Sequence, residues 1–345
     1  MQYQKQRLQG LDLARFLAFV GMVIVNFRMA MGIKGGNGPL AALAGALEGR
    51  AAACFVVLAG IGLGIAAARN DHAQTVNATL RRALFLLVLG LCNMLLFEAD
   101  ILHYYAFYFV FGALLLKLSW RALAACIVAL DLAFVALVLT QNYSAGWDWH
   151  TYTYSGFWTP AGFGRNLLFN GWHPVLPWLG FLLLGILLGK LPLAQRAVQH
   201  RMMGWGALVM LTAESASFVL RSLLPDLSEL LTTKPIPPMP LYMLAASGSA
   251  VLAIGLCLRS ADWLHRQRLL QLAIPAGRQT LTLYIAHVLL GMGTMEALGL
   301  LDGQSLATSV TAALIFCVAA TVYAWWWSRH FERGPVEALM RRLAG

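Results

Sequence analysis

A carboxylate stands three residues ahead of a histidine in Glu98-Ala-Asp100-Ile-Leu-His103-Tyr104-Tyr105, which sets both side chains on one face of a helix. Asp100 can then orient His103 and stabilise its charged form, which suits the imidazole to act as a base on a hydroxyl or amine. The same carboxylate could instead cap a helix that begins there, leaving His103 in a helix interface. A second histidine, His287, follows Tyr284 by one turn. It suits catalysis or binding, or simply a hydrogen bond between helices. Near the start of the chain, Asp12 and Arg15 are spaced to pair with each other. If Arg15 turns inward, its guanidinium suits bidentate contact with a phosphate or carboxylate. Asn26, deeper in the same apolar run, suits an interhelical clamp or an active-site amide. The candidate catalytic groups are therefore His103, Asp100, His287 and Asn26, and the candidate co-substrate holders are Arg15, Asp12 and Tyr284. Glu48 and Arg50, together with Trp172, are candidates for substrate binding.

The connection over 142–172 is aromatic, with Trp147, Trp149, Tyr152, Tyr154, Phe157, Trp158 and Trp172. Such residues form the belt at a lipid interface, or a stacking surface for a sugar or lipid-head acceptor. His72, His150, His200, His265 and His330 fall in loops or at helix ends, where solvation accounts for them. No Walker loop, HExxH, GxSxG or CxxC framework occurs, which disfavours the ATPases and hydrolases that carry those signatures. Cys54, Cys92, Cys126, Cys257 and Cys317 lie in apolar runs at no metal-ligand spacing. They read as packing residues, and no metal or permanently bound cofactor is expected.

What must position these groups is a membrane bundle. Of 345 residues, 59% are hydrophobic and 12% charged, and mean hydropathy is +0.68; a soluble chain is nearer half apolar and a quarter charged. Runs of spanning length fall at about 12–31, 50–68, 83–98, 101–117, 122–141, 173–189, 202–223, 240–258, 279–296 and 305–327. The expected fold class is all-α: a polytopic integral membrane helical bundle of about ten transmembrane helices, one transmembrane domain over 1–345. The third and fourth runs, joined by Phe97-Glu98-Ala99-Asp100, should form a tight helical hairpin. With the N-terminus inside, the outer segments receive only Arg28, Lys34, Arg50, Arg165, Arg221 and Lys234, and the rest of the 25 Lys and Arg face inward. That asymmetry sets both termini in the cytoplasm. It also makes the net charge of +10 a topology signal, with no nucleic-acid partner implied. The first run contains Asp12 and Arg15 and no small-residue cleavage site, so it should remain as a helix. Gly60/Gly64 and Gly185/Gly189 let helices approach closely, which indicates packing; a homodimer is a separate possibility.

Five segments, in order, resemble a family. Leu11-Asp12-Leu-Ala-Arg15 with Val25-Asn26 is similar to the first helix of the YeiB-like bacterial membrane proteins and of heparan-α-glucosaminide N-acetyltransferase. Glu48-Gly-Arg50 running into Phe55-Val-Val-Leu-Ala-Gly60, Asp100-Ile-Leu-His-Tyr-Tyr-Ala106, Pro174-Val-Leu-Pro-Trp178, and Gly277-Arg278 through Tyr284-Ile-Ala-His287 follow. Phe331-Glu-Arg-Gly334-Pro335-Val-Glu337 closes the chain in the YeiB-like manner. The resemblance implies a transmembrane acyltransferase of the bacterial inner membrane, with acyl-CoA, acetyl-CoA above all, as co-substrate on the cytoplasmic side. A sugar, lipid or amine would accept the acyl group facing outward. Arg15 and Asn26 repeat the Arg/His spacing of the type-three acyltransferases, with asparagine in the histidine's place. The heparan enzyme's catalytic loop histidine corresponds to Asn37 in Gly35-Gly-Asn37-Gly, so His103 or His287 must replace it, or this branch does different chemistry. From the residues alone, a transporter or flippase and a partner-dependent membrane scaffold remain open.

Overall fold

The computed structural model describes residues 8–33, 35–301 and 303–345. Lys5, Arg7 and Lys34, which enter the charge asymmetry, lie outside the described residues. The chain is helical almost throughout: α1 (Gln9–Ala30), α2 (Pro39–Leu47), α3 (Arg50–Arg69), α4 (His72–Met94), α5 (Leu102–Leu115) and α6 (Trp120–Thr140) come first. A two-stranded antiparallel ribbon, β1 (Trp147–Asp148) and β2 (Thr153–Tyr154), precedes α7 (Pro160–Arg165) and a wide π turn at Asn166–Asn170. Then come α8 (Val175–Gly189), α9 (Arg196–Leu223), α10 (Pro240–Arg266), α11 (Leu270–Arg278) and α12 (Thr280–Ala286). A second π turn at His287–Met292 leads to α13 (Gly293–Ala297), α14 (Leu306–Trp327) and α15 (Pro335–Ala344).

Among the described residues, seven helices are long and apolar enough to cross a membrane, or eight if the bent pair 160–170 and 175–189 is one span. Two of the ten expected runs take other forms. The run at 101–117 is α5, only 14 residues long. The run at 279–296 is α12, a π turn and α13 end to end, one continuous helical stretch with a π bulge. The non-helical Gln279 separates this stretch from α11 before it. The bend of 52° before α8 falls at Gly171-Trp-His-Pro174, where the proline has no N–H to continue a helix. The run expected at 83–98 begins earlier, at His72. Asp71 caps it by accepting from Ala73 N at 2.9 Å, and Thr75 and Thr79 return their hydroxyls to carbonyls four residues back.

By packing, the chain forms two compact units. The first takes 1–58, 192–207 and 249–341; the second takes 59–191, 208–248 and 342–345. In the first unit, α1 packs along α11 and α14, with Phe19, Val23 and Phe27 buried. Gly277 makes this possible, because a Cβ there would meet the Asp12 carbonyl oxygen at 1.9 Å. In the second unit, α4 and α5 form the tight hairpin, and α6 packs on α8. Gly60 and Gly64 meet Gly185 and Gly189 face to face. A Cβ on Gly60 would lie 2.1 Å from the Leu182 carbonyl oxygen, and one on Gly64 2.7 Å from that of Ile186.

The helix α12 depends on a residue far along the chain. Glu337 accepts from Leu281 N at 2.7 Å and Thr282 N at 3.1 Å, and from the Thr282 hydroxyl, so it satisfies amides the break leaves without partners. Burial holds the Glu337 carboxyl above its ordinary value of 4.5, against the lowering effect of these hydrogen bonds. A raised carboxyl in the folded state means stability that is full below pH 4.5 and falls as pH climbs through the raised value. Glu337→Gln keeps an acceptor and removes the titration. The variant's thermal midpoint should therefore vary less with pH above 4.5 than the wild type's, measured by scanning fluorimetry in nanodiscs.

Candidate functional site

The second unit holds the Asp100–His103 pair. Asp100 Oδ2 accepts from Leu102 N at 2.7 Å and more weakly from His103 N at 3.4 Å, so it does cap α5. Its Oδ1 accepts from Asn93 Nδ2 at 2.7 Å. With the carboxylate fixed in this way, Oδ2 stands 3.6 Å from His103 Nδ1. The two expected roles coexist: one carboxylate both caps the helix and faces the imidazole. Gly90 on α4 sets the position, since a Cβ there would lie 2.3 Å from His103 N. His103 is fully buried, and neither ring nitrogen has a hydrogen-bond partner among the described residues. Its ring packs on Tyr104 at 3.8 Å and edge-on to Phe157 at 5.9 Å.

Above α5 the aromatic connection folds into a hydrogen-bonded knob. Asn170 donates to the carbonyls of Tyr143 and Ala145, both at 2.8 Å, and its Oδ1 accepts from the Tyr154 hydroxyl at 3.0 Å. Trp147 and Trp149 stack at 4.6 Å. Between the knob and the end of α4 lies a cleft of about 380 Å³ lined by Glu98, Trp147, Phe157, Asn166 and Trp172 among others. Asn166 accepts from the Tyr104 hydroxyl at 2.5 Å, and that oxygen in turn accepts from Trp172 N at 3.2 Å. The indole N–H of Trp172 has no hydrogen-bond partner among the described residues. A carboxylate, an amide and aromatic faces in one cleft suit a ligand with hydroxyl or amine groups and one apolar face.

The first unit holds two more clusters. Asp12, 1% exposed, accepts from Arg15 Nη1 at 2.7 Å and stands 3.6 Å from Arg278 Nε. One carboxylate therefore gathers two guanidiniums, and the local charge sums to positive, as an anion site requires. In the second cluster, Asn26 Nδ2 lies 3.0 Å from His287 Nε2, while His287 Nδ1 sits against the Tyr284 carbonyl oxygen. The carbonyl can only accept, which favours the tautomer that carries its proton on Nδ1. The Tyr284 ring packs on the imidazole at 4.7 Å.

Glu48 is held in an ion pair with Arg28, and Arg50 lines a separate cavity of about 250 Å³ with Cys54 and Cys257. Asn37 is exposed in the glycine-rich loop after α1. Four residues of these clusters escape a reading by sequence. Arg278 joins Asp12 through tertiary packing alone. Asn93 was a polar residue inside an apolar run, a signal that stood in plain view. His173, whose carbonyl accepts from the Tyr108 hydroxyl, packs edge-on to Tyr104 at 5.9 Å and to Trp178 at 4.6 Å. Glu337 acts by capping α12.

Comparison with known families gives two matches. A model described as heparan-alpha-glucosaminide N-acetyltransferase, catalytic, matches residues 7–218, and one described as protein of unknown function (DUF418) matches 192–345. A comparison with curated proteins gives no match. The first match contains Asp12, Arg15, Asn26, Asp100, His103 and Trp172; His287 and Tyr284 fall in the second.

Proposed function

This chain belongs to the heparan-alpha-glucosaminide N-acetyltransferase catalytic family, with a YeiB-like C-terminal part, and from that membership we propose that it transfers an acyl group across the bacterial cytoplasmic membrane. The donor is cytoplasmic acyl-CoA, and the acceptor is an outward-facing sugar, lipid or amine. Both termini are cytoplasmic, as the Lys and Arg distribution favours. Counting α5 and the π-bulged α12–α13 segment as spans gives about ten crossings.

The observation that carries this reading is the state of His103. A buried imidazole that makes no hydrogen bond among the described residues, with only the Asp100 carboxylate facing its Nδ1 at 3.6 Å, costs roughly 1–3 kcal/mol, and such a cost is kept where the group has work to do. Oriented by Asp100, His103 removes the proton from the acceptor hydroxyl or amine. The freed oxygen or nitrogen then attacks the thioester carbonyl, the C–S bond breaks, and CoA leaves as a thiolate that takes up a proton. Arg15 and Arg278 hold the CoA phosphates, and Asp12 keeps the two guanidiniums in register. Asn26 and His287 line the route of the acyl group within the membrane. The second reading, transport without covalent chemistry, draws on the broken α11–α13 segment and the bent pair before α8.

Acyl-CoA separates the two. Purified protein in nanodiscs should gain thermal stability with acetyl-CoA and release CoA when given an envelope acceptor pool. Arg278→Gln removes one charge-assisted contact and should weaken acetyl-CoA binding by about tenfold or more. A protein that neither gains stability nor releases CoA is not a transferase.

A further inference from the structure

In the first unit, α12, the π turn after it and α14 enclose a groove of about 690 Å³. Phe27, Ala286, Leu290, Phe316, Ala319 and Tyr323 are among its walls. It is almost wholly apolar, and its volume lies within the range of about 300–1,000 Å³ usual for ligand sites. Leu290 and Ile315, both 66% exposed, mark its open side. They sit mid-way along α14 and the α12–α13 segment, and with both counted as spans that side is set to meet hydrocarbon. Along α14 the lining runs from Ala312 to Tyr323, a rise of about 17 Å at 1.5 Å per residue. One leaflet of a hydrocarbon core about 30 Å thick is about 15 Å, so the groove has the reach of one fatty chain.

Beside the groove lie two polar groups that do not line it, one on α1 and one just after α12. Asn26 precedes the lining residue Phe27, and His287 follows the lining residue Ala286. These two bond to each other at 3.0 Å. The π turn beginning at His287 widens the helix at this point, and Gly291, which also lines the groove, lets Phe27 close on it: a Cβ on Gly291 would lie 2.7 Å from the Phe27 ring. An amide donor thus stands at the flank of a chain-length apolar trough.

We infer that the groove is the acyl-chain site of the donor, and that the transferred group is a fatty acyl chain with its carbonyl beside Asn26 and His287. This rests on the acyltransferase reading above and narrows it, since an acetyl group has one methyl and leaves such a groove unused. In the bilayer, lipid tails compete for the groove, so the gain over acetyl is smaller than water-to-hydrocarbon transfer would suggest.

The test compares palmitoyl-CoA with acetyl-CoA on the full chain in nanodiscs, by thermal shift and by competition for a fluorescent CoA ester. Ala319→Trp and Ala312→Trp fill the groove, and neither residue belongs to the Asp12 cluster. Partition of palmitoyl-CoA into the disc is common to all variants and cancels in the ratio. The wild type should prefer palmitoyl-CoA, and either filled variant should lose that preference by about tenfold while binding acetyl-CoA unchanged. Equal binding of the two esters by the wild type overturns the inference and leaves the transferase standing. A preference that survives both fillings overturns it as well, since the groove then holds only bulk lipid. Binding of neither ester fails the donor reading itself.

Discussion

Replacing His103 with leucine should abolish turnover and stabilise the protein at the same time. The side chain is fully buried and neither ring nitrogen has a hydrogen-bond partner among the described residues. A leucine fills similar space without polar atoms to desolvate, so unfolding should require roughly 1–3 kcal/mol more. Loss of a general base costs about 10²–10⁴ in rate. Denaturation in detergent and CoA release measured on the same preparation check both halves. A structural histidine would show the opposite pattern, with stability lost and turnover per folded molecule kept. The parallel substitution His287→Leu removes a partner from Asn26 and should destabilise, so the two histidines are distinguishable by sign.

The second large effect lies at the glycine crossing. Gly60→Leu puts a branched side chain where even a Cβ would stand 2.1 Å from a backbone carbonyl of α8. Backbone cannot rotate away as a side chain can, so the two helices must separate. Overpacking of a tight core costs about 1–3 kcal/mol, and losing the whole crossing costs more. Little folded protein should survive extraction. Gly204→Leu supplies the comparison, because nothing lies within 4 Å of a Cβ there. In the interior of α9 that change should be neutral or slightly favourable, a leucine being the better helix former. Recovery of monodisperse protein by size-exclusion chromatography reads both; equal recovery would mean that α3 and α8 do not depend on close contact.

Hydropathy was sufficient for the long helices, because burial in lipid demands an unbroken apolar run. It failed at α4, whose first turns are polar but capped by Asp71, and at 279–296, where Gln279 ends α11 and a π turn interrupts the α-helical pattern. Spacing alone put Asp100 and His103 on one face and Asp12 beside Arg15. It could not show that Asp100 serves Asn93, the α5 backbone and His103 together, since that follows from how α4 returns against α5. Nor could it bring Arg278 to Asp12 or His287 to Asn26, pairings between residues at opposite ends of the chain. The glycine in Gly277-Arg278 was the available hint, because a residue without a side chain often marks where another backbone arrives.

The interleaving of the two units has a temporal side. The main partners of α1 within its unit, α11 and α14, are made late: about 240 residues separate Ala30 from Leu270. At about 5–20 residues per second, α1 waits on the order of ten to fifty seconds in the membrane before they emerge. Through that interval Asp12 and Asn26 are without Arg278 and His287, while most of the second unit, which begins at Ala59, has already been synthesised. A helix made before its main partners is therefore among the last to be finished. It needs shelter, from the insertion machinery or a neighbouring span, that the completed protein no longer requires.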